Sequence, residues 1–315
     1  PYNALLDQYE PGATVKQIIP LFTDVRNQLV DFVKEITPMK VDSSFMNLHY
    51  TKALQWDFGI KLLGPHIIKS DIDFKIEGEN IRFALNSIKG ISDKTLEKLK
   101  NFCHPYSDKF EIFLGAEECG LGIGVLGSLI MAGTMDDYLT QTRTMTTKEA
   151  QTFNLLTPRE KKRILLKNDQ NKSILGEQFN YDLIAIINYL KQSQNGAKPF
   201  LKESRLETIR KDYRLFQKMY NQNSQNEQLA SWMFEKCYLG YSFSQNLFDI
   251  LAKEYDNLIK ISECKGELDN NKVTICGEIL EIKSGTSKNK NKYIKAKIND
   301  STDSFNIMIM EKYFD

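Results

Sequence analysis

Cysteine and histidine are scarce in this chain, and no two cysteines are paired. The cysteines stand apart at Cys103, Cys119, Cys237, Cys264 and Cys276, and there are only three histidines. No C-x-x-C pair occurs, which argues against structural zinc and against a disulfide framework. Isolated thiols suit a reducing cytoplasm. No apolar run reaches the roughly 18 residues of a membrane-spanning helix, and no secretory signal pattern opens the chain. A surplus of one charge is absent too, with 42 Lys and Arg against 41 Asp and Glu. That excludes a global basic field, so any contact with nucleic acid has to come from local patches.

What is present is a folded protein. Its 315 residues, 41% of them hydrophobic, suffice for two or three small domains with real cores. The chain begins Pro1-Tyr2 rather than with Met, which reads as a fragment or a processed product. Val25, Leu29, Phe32 and Val33 recur at helical spacing, so residues 1–40 read as helical. A second helix is expected over 44–58, stopped by Gly59. Ile60–Leu63 reads as a short strand. Phe74–Ile76 and Ile81–Phe83 alternate around Glu77-Gly78-Glu79-Asn80 and read as a hairpin. A helix capped by Ser92 is expected over 93–103, and a short Gly-rich one within 121–135.

Residues 136–262 read as mostly amphipathic helix. One start is sharply marked: Thr157-Pro158-Arg159-Glu160 offers a capping Thr, Pro at the first helical position and Glu three after the cap. Polar breaks occur at 192–198 and 221–228, the second being the best internal linker. After Lys265 the period becomes two. Strands are expected over 273–282, 293–298 and 305–310, with a loop at 284–291 and a turn at Asp300-Ser301-Thr302-Asp303. This order matches the opening of a five-stranded OB-type barrel. Ending there leaves an unpaired edge, so the protein is expected to continue beyond Asp315.

Four segments resemble the C-terminal half of the bacterial DNA polymerase III alpha subunit. Gly59, Ile60, Leu63, Pro65, Ser70, Asp73 and Phe74 match one stretch of that family. Ile81, Arg82, Leu85, Ile88, Lys89 and Gly90 match the next. Leu126 to Asp136 looks like the family's L-E-x-L-I-x-A-G-A-F-D, and Glu235 to Ser244 like its E-K-E-L-L-G-F-Y-L-S. The order and spacing are the family's, over roughly 48–135 and 229–315. Departures occur at His66, Ile67, Gly90-Ile91-Ser92 and Ser244 to Leu247, and imply a divergent member, phage-encoded or specialised.

The resemblance weighs on how each constellation is read. Asp71-Ile72-Asp73 has the spacing of a metal-binding palm pair. Its surroundings match a non-catalytic segment, so it is read as a turn former, and no catalytic residue is assigned. Lys89, Gly90, Ile91, Ser92, Lys94 and Lys98 form the expected duplex site, a hairpin and helix start that offers backbone N–H groups and charge to a phosphate. Cys119 to Gly124 is a second hairpin candidate. Lys283, Lys288, Lys290, Lys292 and Tyr293 form the expected single-strand site, where cations and one stackable aromatic flank a barrel loop; Lys295 and Lys297 follow. Arg159, Lys161, Lys162 and Arg163 cluster at a helix start, where they oppose the macrodipole, yet read first as a solvated face. Gln245-Asn246-Leu247-Phe248 is near a clamp-binding peptide but reads as helix core.

The fold expected is multi-domain and mainly α, with a tandem helix-hairpin-helix module and the start of an OB-type barrel. Residues 1–78 would end a fingers-like region, 79–135 form the hairpin module, 136–271 a helical connector and 272–315 a partial OB fold. The resemblance implies the DNA-gripping portion of a replicative polymerase, inactive on its own, with Mg2+ held by palm carboxylates elsewhere. Expected partners are a primer–template, the palm-bearing remainder and a sliding clamp. Rival readings are a separate subunit of a split polymerase and a non-polymerase DNA-binding protein.

Overall fold

The computed structural model describes residues 59–313 apart from 193–195, 197, 221–225, 265–271, 289–290 and 301. The helices expected over 1–40 and 44–58 lie outside the described residues. The chain divides into two compact units. One holds the described residues before 221 together with Phe234–Phe243; the other holds Asn226–Met233 and the residues from Ser244 onward.

The first unit opens with a small mixed sheet. Strands β1 (Leu62–Leu63), β2 (Lys75–Glu77) and β3 (Asn80–Arg82) lie in the order β1-β3-β2, with β1 parallel and β2 antiparallel to β3. The expected hairpin is present. Gly78 takes φ +63° in its two-residue turn, a conformation a Cβ would disfavour. Arg82 pins the sheet: its guanidinium donates to both Glu77 carboxylate oxygens at 2.8 and 2.6 Å and to the Gly64 carbonyl at 2.8 Å. Phe83, fully buried, packs edge-on to Phe74 at 5.1 Å and against Tyr241 at 5.8 Å.

Helices follow: α1 (Asp93–Phe102), α2 (Lys109–Glu118), α3 (Ile123–Met131), α4 (Arg143–Asn154), α5 (Pro158–Ile164), α6 (Ile174–Gln178), α7 (Leu183–Leu190), α8 (Glu203–Tyr220) and α9 (Glu227–Leu239). The capping box at Thr157 and Glu160 forms as the spacing predicts. Helix α2 has no amphipathic signature in the sequence, only the Asp108-x-x-Glu111 spacing of a capped start. Phe110, Ile112, Phe113 and Ala116 are buried on several sides of it, together with Lys109, so no amphipathic stripe exists to read. Its Asp108 cap accepts from the Phe110 and Glu111 N–H groups at 2.8 and 3.1 Å.

Helix α4 also departs from the expected amphipathic pattern. It packs against α2, α3, α7 and α8 and is buried along nearly its whole length despite the sequence RTMTTKEAQTFN. Ion pairs make this tolerable. Fully buried Glu149 pairs with fully buried Lys109 and accepts from the Leu183 N–H at 2.9 Å. Burial pushes the Glu149 carboxyl up, against the pull of Lys109. Arg143 pairs with Asp136 and with the fully buried Glu235 at 2.8 Å.

The second unit carries two short helices, Leu247–Leu251 and Ile261–Cys264, and an antiparallel meander of β4 (Glu278–Thr286), β5 (Lys292–Asn299) and β6 (Ser304–Met310). The strand expected over 273–282 is displaced: it starts at Glu278 and runs through Gly285 to Thr286, which shortens the expected 284–291 loop. Gly285 pairs with Tyr293, whose ring fills the space a Cβ would need: one there would lie 2.6 Å from Cζ. Three strands form an open sheet; a closed barrel is not present among the described residues. Asp300 organises the β5–β6 turn. Its carboxylate accepts from the Thr302 and Asp303 N–H groups at 2.8 and 3.1 Å, the Thr302 hydroxyl at 2.6 Å and the Ile261 N–H at 2.7 Å.

Candidate nucleic-acid interface

Two glycine turns in the first unit each deliver the chain into a helix N-terminus. In the first, Gly90 takes φ +96° and the chain enters α1 through Ile91 and Ser92. In the second, Gly120 takes φ +66° between α2 and α3, and Leu121-Gly122 leads into α3. Only the second turn has a helix on both sides; the first is preceded by turns that follow β3. The expected Ser92 cap does not form. Its hydroxyl lies 2.9 Å from the Thr95 hydroxyl and makes no bond to a backbone N–H. Both helix starts therefore keep their first N–H groups without a side-chain cap.

The turns are held from beneath. The Lys89 N–H donates to the Tyr238 carbonyl at 2.9 Å, which anchors the first turn to the end of α9. A Cβ on Gly90 would come within 2.7 Å of Ser128 Oγ, so α3 supports the turn closely. Lys89, Lys94 and Lys98 are exposed, as a phosphate contact requires. Lys98 has a second engagement with no signal in the sequence: its ammonium donates to the Gly120 carbonyl at 2.7 Å. It thereby ties α1 to the second turn. The electrostatics differ between the two starts. Asp93 stands in the first turn of α1, whereas the first turn of α3 holds no acid and favours an anion more.

Glu235 and Ser70, motif residues to which the sequence reading gives no role, are girders of the fold, and Asp71 and Asp73 are the turn residues it expects. Glu235 holds Arg143 on one side and accepts from the Ser242 hydroxyl and the Phe243 N–H, both at 2.8 Å, on the other. Ser70 Oγ donates to the Phe83 carbonyl at 2.8 Å. Asp73 accepts from the Asn86 amide at 2.7 Å, and Asp71 from the Ile72 N–H at 2.9 Å, so both belong to turn structure.

In the second unit, strand alternation puts Tyr293, Lys295 and Lys297 on one face of the sheet, and the register adds Lys283 opposite Lys295. Like charges directly opposite each other cost stability unless an anion joins them. Glu281 offsets part of this, 2.5 Å from Lys283. The Tyr293 ring carries the Lys295 ammonium 5.6 Å from its centroid. Lys292 points to the other face and its backbone N–H donates to Glu311 at 3.0 Å, so it does not join this set. Lys288 is exposed in the loop; Lys290 lies outside the described residues.

The basic cluster on α5 is placed differently from expectation. The helix has only seven residues, so Lys161, Lys162 and Arg163 fall in its last turn, where cations suit the macrodipole. The 245–248 segment is the start of the Leu247–Leu251 helix. Asn246 caps it through the Phe248 N–H at 2.9 Å, and Phe248 is half-buried under Lys260.

Comparison with known proteins divides the chain. Residues 59–145 match the helix-hairpin-helix motif family. Residues 1–65 match the carboxypeptidase Taq (M32) metallopeptidase family, which competes with the fingers-like expectation for that stretch. The chain is similar to DNA polymerase III subunit alpha of Aquifex aeolicus, 46% identical over 65 residues that make 20% of this chain and 5% of the relative. It is similar to the same subunit of Buchnera aphidicola, 24% identical over 273 residues, 80% of this chain and 19% of the relative. Carboxypeptidase 1 of Bacillus subtilis is 37% identical over 65 residues, 20% of this chain and 13% of the relative. The chain thus spans about a fifth or less of each of these relatives. All three come from cellular bacteria, which lends no support to a phage origin. The histidines stand at 49, 66 and 104, so the H-E-x-x-H spacing of zinc peptidases does not occur in the sequence. Among the described residues, no helix is long and apolar enough to cross a membrane.

Proposed function

We propose that this chain is a DNA-gripping portion of a replicative DNA polymerase of the polymerase III alpha kind, holding duplex through phosphates rather than reading bases. The observation that carries this reading is the pair of glycine turns, each opening an uncapped helix start and joined to each other by Lys98. Backbone N–H groups at such a start present partial positive charge at a fixed distance from the main chain, which suits a phosphate oxygen. Lys89 and Lys94 add mobile charge at the rim, and Gly90, Ile91 and Ser92 shape the first turn. Contacts of this type position a protein on DNA and carry no sequence information.

The second turn, Gly120-Leu121-Gly122, is the stronger of the two phosphate sites in this reading, because the first turn of α3 holds no acid, whereas that of α1 holds Asp93. The sheet face with Lys283, Tyr293, Lys295 and Lys297 takes a single strand, with Lys288 at the loop. A base would displace the Lys295 ammonium to stack on Tyr293, exchanging one favourable ring contact for another. Nucleotide addition would fall to palm carboxylates and Mg2+ outside this chain. The reading rests on residues 59–313; residues 1–58 enter it through neither turn nor sheet.

The test is anisotropy of the full chain with a labelled primer–template across a salt series. Micromolar binding that weakens linearly in log-log with salt supports the reading. Binding that is absent at low salt removes it, and the non-polymerase alternative with it. Adding a palm-bearing polymerase fragment distinguishes a split-enzyme subunit, which would restore primer extension, from a stand-alone DNA binder, which would not.

A further inference from the structure

We infer that the groove between α2 and α5 is a docking site for a protein segment that combines apolar anchors with acidic side chains. The groove has a volume of about 500 Å³, and its lining combines Leu114, Leu165 and Leu166 with Glu117, Lys161, Lys162 and Lys167. Leu166 is 45% exposed and Ile174 42%, the two most exposed large aliphatic side chains among the described residues of the first unit. They are neighbours, since the Ile174 N–H donates to the Leu166 carbonyl at 3.0 Å. Leu166 lines the groove itself, and with its neighbour Ile174 it offers a partner exposed apolar surface to cover.

The charges say which partner. Lys161 is paired with Glu117 and Lys167 with Glu111, both from α2. Lys162, which also lines the groove, has no acidic partner among the described residues, so the residual charge there is positive. Nucleic acid would satisfy these cations and leave the aliphatic side chains wet. An uncharged apolar peptide would cover those side chains and leave the cations desolvated beside it. An apolar segment flanked by Asp or Glu satisfies both, in the manner of helix-in-groove recognition. Glu117 also lines the small cavity behind the second glycine turn, so the occupant would lie next to the proposed duplex grip without using it. The proposal does not depend on DNA binding.

The test is selection of a displayed random-peptide pool on the full chain, followed by anisotropy with an enriched, labelled peptide. Enrichment of Leu or Phe beside Asp or Glu is expected. Leu166→Asp, at an exposed position that tolerates the change, and Lys162→Glu should each weaken the peptide by about tenfold or more, the scale of one anchor's removal. Oligonucleotide binding by the same variants should stay unchanged. No enrichment, enrichment of basic or uncharged peptides, or retained binding by Leu166→Asp would overturn the proposal. So would competition by an oligonucleotide, or a cross-link from Lys162 into residues 1–58, which would make the chain its own occupant.

Discussion

The ammonium of Lys98 donates a 2.7 Å hydrogen bond to the carbonyl oxygen of Gly120, joining α1 to the second glycine turn. The two residues are 22 positions apart, and the bond makes one lysine a strut between two proposed phosphate sites. That gives Lys98 a role distinct from Lys89 and Lys94, and the difference is measurable. Lys98→Ala should weaken duplex binding while leaving the slope of log Kd against log salt unchanged, because it orients rather than neutralises. Lys89→Ala and Lys94→Ala should each lower that slope by about 1, the share of a single neutralised phosphate. Equal slope changes for all three would make Lys98 an ordinary phosphate ligand.

Gly90 is constrained twice, by its φ of +96° and by Ser128 at 2.7 Å from where a Cβ would sit. Gly90→Ala should cost about 1–2 kcal/mol from the left-handed backbone alone, seen as a lowered midpoint in urea. Adding Ser128→Ala should recover only the part due to crowding by the hydroxyl. Full recovery in the double variant would mean that the backbone conformation carries no strain.

Glu235 is fully buried and holds Arg143, Ser242 and the Phe243 N–H. Removing one partner of a buried ion pair leaves the other uncompensated, so Glu235→Ala should destabilise by about 3–5 kcal/mol. Denaturant titration measures this directly. A decrease below about 1 kcal/mol, the level of an exposed pair, would show that Arg143 rests on Asp136 alone.

Asp300 gives a prediction about acid. Burial raises its carboxyl, but the Thr302 hydroxyl and the N–H groups of Ile261, Asp303 and Thr302 outweigh it and hold it below the usual carboxylate range. A folded-state value below the unfolded one means stability that is present above the unfolded value and lost as pH falls through the folded value. Asp300→Asn should therefore lower stability at neutral pH by about 1–3 kcal/mol and flatten the acid limb of the pH–stability curve of the second unit. An unchanged acid limb would assign it to other carboxylates.

Local chemistry is legible in the sequence alone. The Thr157–Glu160 capping box, the hairpin at Gly78 and the strand alternation after Lys265 depend on residues within a few positions of one another, and each forms close to where its pattern stands. The first glycine turn follows by the same logic, helped by the resemblance of its flanks. The second is harder to weigh, because Gly-rich sequence alone does not separate a loop from a turn that opens a helix.

What only the tertiary structure decided is non-local. Lys109 meets Glu149 across 40 positions and Arg143 meets Glu235 across 92. These pairs let α2 and α4 be buried on several sides, which erases the amphipathic period by which a helix is read from sequence. β4 runs on through Gly285, which pairs with Tyr293 and has no Cβ to meet its ring, a cross-strand relation invisible along one strand. Short-range turn and cap energetics are written in adjacent residues, whereas the desolvation of a charge is compensated only by whichever distant group the fold brings to it.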